Sequence, residues 1–288
     1  MCCMDTAFGR SLSSQRIKEQ VGSFYDLGSP YYLDLWGQHI HDGYYITGRE
    51  SNEEAQVNLT KRLAEKAGIM RRATVLDVGC GIGGSSIWLA EELGAITTGI
   101  TISAVQVEIA RRLACERRAT SSFLLMDAEK MEFEQAFDVI WAVAMITHIK
   151  QQENVLGRAT RFLNNGGKFV LFDWMLGEGN SAAAGNTQID LISRGMLLAS
   201  LHPMSFYLEW FVANGYRITY TEDMTAHTGK TWKDALSLMK LPSVWKLVYH
   251  ASREERRKIL PFLRSLRPMK QAMQGGRLIS AAVIAEKI

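Results

Sequence analysis

Short apolar runs alternate with amphipathic stretches between Thr74 and Asp173. The amphipathic stretches place apolar residues at the spacing of a helix face, most clearly over residues 103–118 and 154–163. This alternation is typical of βα units that pack around a parallel sheet, and two later apolar runs have the pattern of closing strands. The seven predicted strands are TVLDV (74–78), AITTGI (95–100), SSFLLM (121–126), FDVIWAV (137–143), GKFVLFD (167–173), YRITYTE (216–222) and RLISAAVIAEK (277–287).

The segments outside this rhythm predict a helical lid. Residues 24–65 carry aromatic residues and histidines, whereas residues 174–212 and 223–275 are helical in pattern and rich in methionine and tryptophan. These side chains would either line a ligand site or simply pack as core. Residues 1–23 are predicted to be a flexible tail. Residues 24–288 are then one α/β domain, with a Rossmann-like, doubly wound, seven-stranded, mostly parallel sheet and a lid.

Composition and charge narrow the possible partners and the compartment. The 288 residues are 47% hydrophobic and 22% charged with a net charge of +3, as in an ordinary globular protein, so nucleic acid is not expected as a partner. No apolar stretch is long enough to span a membrane, and no secretion signal is visible. Cys2, Cys3, Cys80 and Cys115 lack metal-ligand or disulfide spacing, which favours the reducing cytoplasm. The Cys2–Cys3 pair is either a lipidation site or part of a frayed end.

The segment VLDVGCGIGGSS (75–86) predicts a turn that binds a ligand. A buried strand ends just before the first glycine, and a helix begins near Gly84. Gly79, Gly81 and Gly83 would let the backbone turn tightly and approach a ligand with no side chain in the way.

Two classes of cofactor fit this turn. Gly79, Gly81 and Gly84 satisfy the G-x-G-x-x-G spacing of dinucleotide enzymes. However, Asp77 would sit poorly beside a pyrophosphate, whereas it can orient the cationic amino-acid end of S-adenosylmethionine. Nicotinamide enzymes also place an acid about 20 residues further on, where this chain has Thr101. The sequence therefore favours S-adenosylmethionine, and the alternatives are an NAD-dependent oxidoreductase and a noncatalytic binding module with the same fold.

Five segments match a known family pattern in order and spacing. They are FYDLGSPYYLDLWGQHIHDGYY (24–45), LDVGCGIGGSSIWLA (76–90), LGAITTGITISAVQ (93–106), FLLMDAEKMEF (123–133) and AFDVIWAVAMITHI (136–149). Residues 24–173 thereby resemble the tocopherol methyltransferase and cyclopropane synthase-like group of class I S-adenosylmethionine-dependent methyltransferases. That group includes natural-product N-methyltransferases. The C-terminal part of the lid resembles it only vaguely.

The resemblance implies how the first two strands would hold the cofactor. The loop from Gly79 to Gly83 would lie against the methionine part of S-adenosylmethionine. Thr101 and Gln106 would contact the ribose hydroxyls, with Ile102 beside them. The alternative for Gln106 is structural, because Ser103-x-x-Gln106 is also a capping box at a helix start.

The same resemblance implies contacts from three further positions. Asp127, followed by Ala128, would accept a hydrogen bond from the adenine amino group, and its alternative is a turn or N-cap carboxylate. Ala142 would offer its backbone carbonyl to the ammonium group of the cofactor. Tyr25 would close over the carboxylate or the sulfonium.

Three histidines are candidates for the acceptor side of the site. A base is needed only where the acceptor atom carries a proton at pH 7. His148 follows the fourth strand, on the carboxyl side of the sheet where ligands bind in such folds. His39 and His41 flank Ile40, so on an extended segment both would face one side. We predict His148, Tyr25 and His41 as the catalytic residues, without a metal; for each histidine the alternative is a structural role.

The segment after the fourth strand favours a heteroatom as the methyl acceptor. In the tocopherol and cyclopropane groups it resembles a Glu-containing run that ends in Glu-His and can serve carbon nucleophiles. Here Ala144 and Thr147 stand in the place of those acids. We therefore predict methylation of nitrogen, with oxygen next, on a hydrophobic small molecule of natural-product metabolism. The alternative is C-methylation of an isoprenoid, phenol or lipid, for which Glu209 of the lid could supply a carboxylate.

Overall fold

Seven strands form one sheet in the computed structural model, which describes residues 5–180 and 186–288. They are β1 (Thr74–Val78), β2 (Ile96–Thr101), β3 (Ser121–Leu125), β4 (Phe137–Val143), β5 (Leu163–Leu176), β6 (Tyr216–Asp223) and β7 (Leu278–Lys287). Their order across the sheet is β3-β2-β1-β4-β5-β7-β6. Strands β1 to β5 run parallel, whereas β7 is antiparallel to both β5 and β6. The predicted Rossmann-like, mostly parallel sheet is thereby confirmed.

Strand β5 is longer at both ends than its apolar run predicts. It begins at Leu163, which pairs with Phe137 across an irregularity in register, and ends at Leu176, opposite Leu278 of β7. The pairing with β7 therefore keeps Trp174 within the sheet, at the edge where the lid begins.

Helices cover both faces of the sheet. In the described part of the chain they are α1 (Ala7–Ser11), α2 (Ser14–Leu35), α3 (Asn52–Ala67), α4 (Gly84–Leu93), α5 (Ala104–Arg117), α6 (Gln152–Thr160), α7 (Thr187–Met196), α8 (Met204–Ala213), α9 (Thr225–Thr228), α10 (Lys230–Leu238), α11 (Pro242–His250) and α12 (Arg253–Gln274). Successive side chains of β4 point to opposite faces. Trp141 packs in the cluster that includes α3, whereas Ile140 packs in the cluster that includes α6 and α8.

The prediction of a flexible tail over residues 1–23 is wrong for the described residues from position 5 onward. Thr6 caps α1, and its hydroxyl donates to backbone carbonyls in the segment after α7. Phe8, Ile17 and Val21 are buried beside that segment. Ile17 and Val21 stand one helical turn apart, so the local pattern already favours a helix with a buried face.

The lid is narrower than predicted. Helices α2, α10, α11 and α12 enclose a cavity beside the carboxyl ends of the strands. The predicted lid segments 24–65 and 174–212 are in part wrong, because α3 and α8 lie on the two faces of the sheet instead. Tyr207 and Phe211 of α8 are fully buried against the sheet, which shows that this helix belongs to the core.

The Cys2–Cys3 pair lies outside the described residues. Within residues 5–180 and 186–288, Cys80 and Cys115 are free thiols. The same residues contain no group of three or more histidine, cysteine or acidic side chains arranged to hold a metal ion. None of the helices described above is long and apolar enough to cross a bilayer.

Candidate active site

The glycine turn joins the end of β1 to the start of α4, as predicted. Asp77 lies in the last part of β1 and is buried, and Ser86 Oγ donates to its Oδ2 at 2.6 Å. Burial raises the pKa of Asp77 to about 7, although the Ser86 hydrogen bond partly opposes this. Within residues 5–180 and 186–288, no ion pair is made to this carboxyl group.

Gly81 and Gly83 differ in what a side chain would meet, although both have a positive φ, 55° and 87°. A Cβ on Gly81 would have only Ile40 Cδ1 within 4 Å, at 3.8 Å, so the bare backbone faces open space. A Cβ on Gly83 would lie 2.7 Å from Cζ of Phe123. Gly83 therefore allows α4 to pack against the sheet. Gly83 is not among the residues that line the cavity described next, and its predicted contact with the cofactor stays a prediction.

A cavity of about 900 Å³ lies beside this turn. Its walls come from the carboxyl ends of β1 to β4 and from α2. Eight of the predicted cofactor residues line it: Asp77, Gly79, Gly81, Thr101, Ile102, Gln106, Asp127 and Ala128. We call this space the cofactor cavity.

Ala142 is not among the residues that line the cofactor cavity, and the predicted contact of its backbone carbonyl with the ammonium group stays a prediction. Its side chain packs in the core on the α6 and α8 side of β4. The cavity wall is formed instead by the neighbours Trp141, Val143 and Ala144. Ala144 has a φ of 54° and donates its N–H to the Phe172 carbonyl, so the chain turns away from the sheet directly after β4.

Thr101 and Gln106 act as a pair. Thr101 Oγ1 donates to Gln106 Oε1 at 2.7 Å, and both residues line the cofactor cavity. Ser103 Oγ caps α5 by accepting the Gln106 N–H at 3.1 Å. The reciprocal half of a capping box is not made, because the Ser103 N–H donates to Thr101 Oγ1. The Gln106 side chain is therefore directed toward the cavity wall rather than toward the cap.

Asp127 combines the cavity position with its alternative role as a turn carboxylate. Its Oδ1 accepts the Glu129 N–H at 2.9 Å, as in a turn, and its Oδ2 pairs with Lys18 Nζ at 2.7 Å. Lys18 Nζ also lies 3.1 Å from Glu129. Lys18 belongs to α2, so the sequence prediction of a tail missed a basic side chain that lines the cavity.

Tyr25 and His148 form a hydrogen-bonded pair, with 3.1 Å between Tyr25 Oη and His148 Nε2. His148 Nδ1 lies 3.0 Å from the Leu197 carbonyl oxygen. A carbonyl can only accept, so Nδ1 carries the hydrogen and Nε2 is the acceptor for the Tyr25 hydroxyl. Burial lowers the pKa of His148, and burial together with the nearby Asp173 raises the pKa of Tyr25. His148 is therefore neutral at pH 7.

His39 and His41 contact each other, in agreement with the prediction that they face one side. His41 Nδ1 donates to the Asp42 carbonyl at 2.8 Å, so its Nε2 accepts from His39 Nδ1 at 3.2 Å. Burial lowers the pKa of His39 well below its usual value and lowers that of His41 to about 4. Both ring nitrogens of His41 are hydrogen-bonded within the protein, and its predicted catalytic role stays a prediction.

A second cavity, of about 1350 Å³, adjoins the first, and we call it the acceptor cavity. Its wall is mainly aromatic and aliphatic side chains of α2 and of α10 to α12. Among the predicted lid residues, Met196 and Trp232 line it, whereas Trp210 packs against Phe211 and Tyr216 on the sheet. Four residues line both cavities: Tyr25, Ile40, His41 and His148. The predicted catalytic residues thus lie at the junction of the two spaces.

Comparison with known proteins places the chain in a family. Residues 75–167 match the family model described as a methyltransferase domain. The chain is 31% identical over 223 residues to (+)-O-methylkolavelool synthase of Herpetosiphon aurantiacus, covering 73% of this chain and 75% of that protein. It is 28% identical over 221 residues to 27-O-demethylrifamycin SV methyltransferase of Amycolatopsis mediterranei, covering 75% and 80% of the two chains. It is 30% identical over 177 residues to the chloroplastic tocopherol O-methyltransferase of Arabidopsis thaliana, covering 56% of this chain but only 51% of that protein.

Two solved structures share the fold over nearly the whole chain. The [4+2]-cyclase SpnF superposes with a TM-score of 0.78 at 25% identity, covering 94% of this chain and 96% of its own. Mycolic acid cyclopropane synthase CmaA1, solved with S-adenosylhomocysteine, superposes with a TM-score of 0.81 at 19% identity and covers 93% and 98%.

The chain therefore belongs to the S-adenosylmethionine-dependent methyltransferases, and the alternative of an NAD-dependent oxidoreductase is wrong. Its cofactor is S-adenosylmethionine. The residues of the cofactor cavity fit this group: Gly81 presents bare backbone, and the polar pair Thr101 and Gln106 stands at a strand end, where such folds bind their ligands. The resemblance to the tocopherol methyltransferase and cyclopropane synthase-like group is confirmed.

Proposed function

We propose that the enzyme methylates a hydroxyl oxygen of a hydrophobic small molecule. The observation that carries this proposal is the neutral His148 at the junction of the cofactor and acceptor cavities, with Nε2 as a hydrogen-bond acceptor. A hydroxyl is protonated at pH 7 and must lose its proton during transfer, so it gains from a neutral base at this place. The sequence had put nitrogen ahead of oxygen; the tautomer of His148 moves our proposal to oxygen.

When bound, S-adenosylmethionine supplies an electrophilic methyl group on a sulfonium. The residues of this chain align the acceptor and take up one proton. His148 Nε2 accepts the hydroxyl proton as the new C–O bond forms, and the Leu197 carbonyl holds the ring in place through Nδ1. The acceptor hydroxyl takes the position that Tyr25 Oη occupies beside Nε2. The apolar walls exclude water, which would compete for the proton and weaken the alignment.

The acceptor class follows from the acceptor cavity and from the relatives. The lining of the acceptor cavity is predominantly apolar, as is common in sites that bind hydrophobic small molecules. The names of the three relatives above include an O-methylkolavelool, a demethylrifamycin and tocopherol, and all three state or imply transfer to oxygen. These names support a natural-product acceptor with a hydroxyl group.

Transfer to carbon is less well supported by this site. Thr147 donates both its N–H and its hydroxyl to the buried Asp173, and the carboxylate of Asp173 lines neither cavity. Glu209, which could have replaced the missing acids, is exposed on α8 and lines neither cavity.

The test uses purified enzyme, a panel of hydrophobic hydroxylated molecules and cofactor labelled with carbon-13 in the transferred methyl group. The chemical shift of the product methyl carbon distinguishes O-methyl from N-methyl and C-methyl groups. We expect an O-methyl product, and a C-methyl or N-methyl product would overturn the proposal. Release of an isomer that carries no new methyl group would instead indicate chemistry of the kind named for SpnF.

A variant pair tests the role of His148. His148→Ala should lower kcat by about 10²–10⁴ while affinity for S-adenosylhomocysteine is kept. His202→Ala is the matched control, because burial also lowers the pKa of His202, to about 4, yet that residue lines neither cavity. Equal losses of kcat in both variants would contradict a base at His148.

A further inference from the structure

Asp42 places a carboxylate in the wall of the otherwise apolar acceptor cavity. The residue is 2% exposed. Its Oδ2 accepts two hydrogen bonds, from Trp174 Nε1 at 2.9 Å and from Ser280 Oγ at 2.8 Å. Within residues 5–180 and 186–288, neither a hydrogen bond nor an ion pair is made to Oδ1. One oxygen of the carboxylate is thus held in place, and the other is left for a partner.

The charge of this carboxylate has no counter-ion in the described structure. No lysine or arginine lines the acceptor cavity. The adjacent His41 is neutral, because burial lowers its pKa to about 4. Burial raises the pKa of Asp42 to about 6, opposed by the hydrogen bonds from Trp174 and Ser280, and a cation beside the carboxylate would lower this pKa. An isolated buried charge is costly and calls for a cation or a strong hydrogen-bond donor.

The surrounding wall also favours a cation. The rings of Trp174 and Trp232 lie 5.4 Å apart between centroids, and both side chains line the cavity beside Asp42. Aromatic faces attract cations, most strongly where water is excluded.

Asp42 is separate from the reacting atoms. Asp42 lines the acceptor cavity but not the cofactor cavity, whereas Tyr25 and His148 line both. A group bound at Asp42 therefore differs from the oxygen that receives the methyl group.

We propose that Asp42 binds a protonated amino group of the acceptor, which is then a hydrophobic amino alcohol. This inference rests on the proposed O-methylation for the identity of the second group. The amine itself can be tested without methyl transfer. Asp42 thus fixes which end of the acceptor enters the site and rejects neutral molecules of the same shape.

The experiment compares two probes that differ in one group, octylamine and 1-octanol, by titration calorimetry in the presence of S-adenosylhomocysteine. The wild-type protein should bind octylamine at least about tenfold more tightly, which corresponds to 1.4 kcal/mol. Asp42→Asn keeps the shape of the side chain and should abolish this preference. Asp34→Asn is the matched control, because it removes the same charge from an exposed position of α2 and should leave the preference unchanged.

Equal affinities of the wild-type protein for the two probes, or a preference that persists in Asp42→Asn, would overturn the proposal. If Asp42→Asn does not fold, Asp42→Ser replaces it, since a hydroxyl can still accept the Trp174 N–H. Failure of O-methylation alone, with the amine preference intact in the wild type and lost in the variant, would refute the proposed function and leave Asp42 as an amine site.

Discussion

Replacing Gly81 and Gly83 by alanine, one at a time, separates a contact with the cofactor from a contact within the protein. Both residues have a positive φ, 55° and 87°, so each alanine enters a left-handed conformation that costs about 1–2 kcal/mol. At Gly83 the new Cβ would also lie 2.7 Å from Phe123 and 3.1 Å from Ala110, an overpacking that adds roughly 1–3 kcal/mol. At Gly81 the Cβ meets only Ile40 at 3.8 Å, an ordinary contact, and projects into the cofactor cavity.

Two measurements then give opposite rankings. Gly83→Ala should lower the Tm of the ligand-free protein more than Gly81→Ala, by about 2–4 °C for each additional kcal/mol. Gly81→Ala should weaken the binding of S-adenosylhomocysteine by at least about tenfold, or 1.4 kcal/mol, because a methyl group occupies the approach of the ligand. Gly83→Ala should keep most of its affinity at temperatures where it is folded.

Differential scanning fluorimetry without ligand and calorimetric titration with S-adenosylhomocysteine provide the two readouts. If Gly81→Ala binds S-adenosylhomocysteine with nearly wild-type affinity, the contact between the cofactor and the backbone of Gly81 is refuted. A loss of affinity in Gly83→Ala without a loss of Tm would show that Gly83 contacts the cofactor after all.

Four further outcomes are expected. Burial lowers the pKa of His148 from 6.5, so kcat/KM should fall at acid pH with a midpoint below pH 6.5; a midpoint above pH 6.5 would contradict the buried base. Gln106→Ala should weaken S-adenosylhomocysteine binding by about 1–3 kcal/mol in a titration and leave the Tm nearly unchanged, because Ser103 caps the Gln106 N–H whatever the side chain; a lower Tm with unchanged affinity would favour the capping role. Met196→Ala should raise the KM of the acceptor more than that of the cofactor, because Met196 lines the acceptor cavity. Trp210→Ala should lower the stability and leave both KM values unchanged, because Trp210 packs against the sheet. Equal effects of the two variants on KM would contradict the assignment of this cavity to the acceptor. Burial raises the pKa of Asp77 from 3.8 to about 7, so the folded state binds this proton more tightly than the unfolded state and loses stability as pH rises. In urea unfolding, the free energy of unfolding of Asp77→Asn should therefore rise by about 3 kcal/mol relative to that of the wild type between pH 5 and pH 8. A difference that stays constant over this range would refute the prediction.

The sequence by itself determined the sheet and the chemistry of its first turn. Strands β1 and β4 have the predicted bounds, 74–78 and 137–143, because a strand buried in a parallel sheet is a continuous apolar run that needs no distant information. The turn from Asp77 to Gly84 was equally visible, since its glycines are required by local backbone geometry. The family resemblance then indicated the cofactor, and eight of the ten residues predicted to bind it line one cavity.

Only the tertiary structure decided which way the neighbouring groups face. A one-residue step along a strand reverses the side-chain direction, so β4 turned Ala142 into the core and Val143 toward the cofactor cavity. In the same way, only the folded chain brings Phe123 of β3 and Ala110 of α5 against Gly83.

The remaining decisions depended on contacts between distant parts of the chain. Tyr25 and His148 are 123 residues apart, and Asp42 and Ser280 are 238 apart. Neither partner carries a local signal of the other, and the direction of a hydrogen bond at a buried histidine is set by whichever carbonyl the fold brings beside it. The tautomer of His148 and the unpaired oxygen of Asp42 therefore emerge only when the lid and the sheet come together.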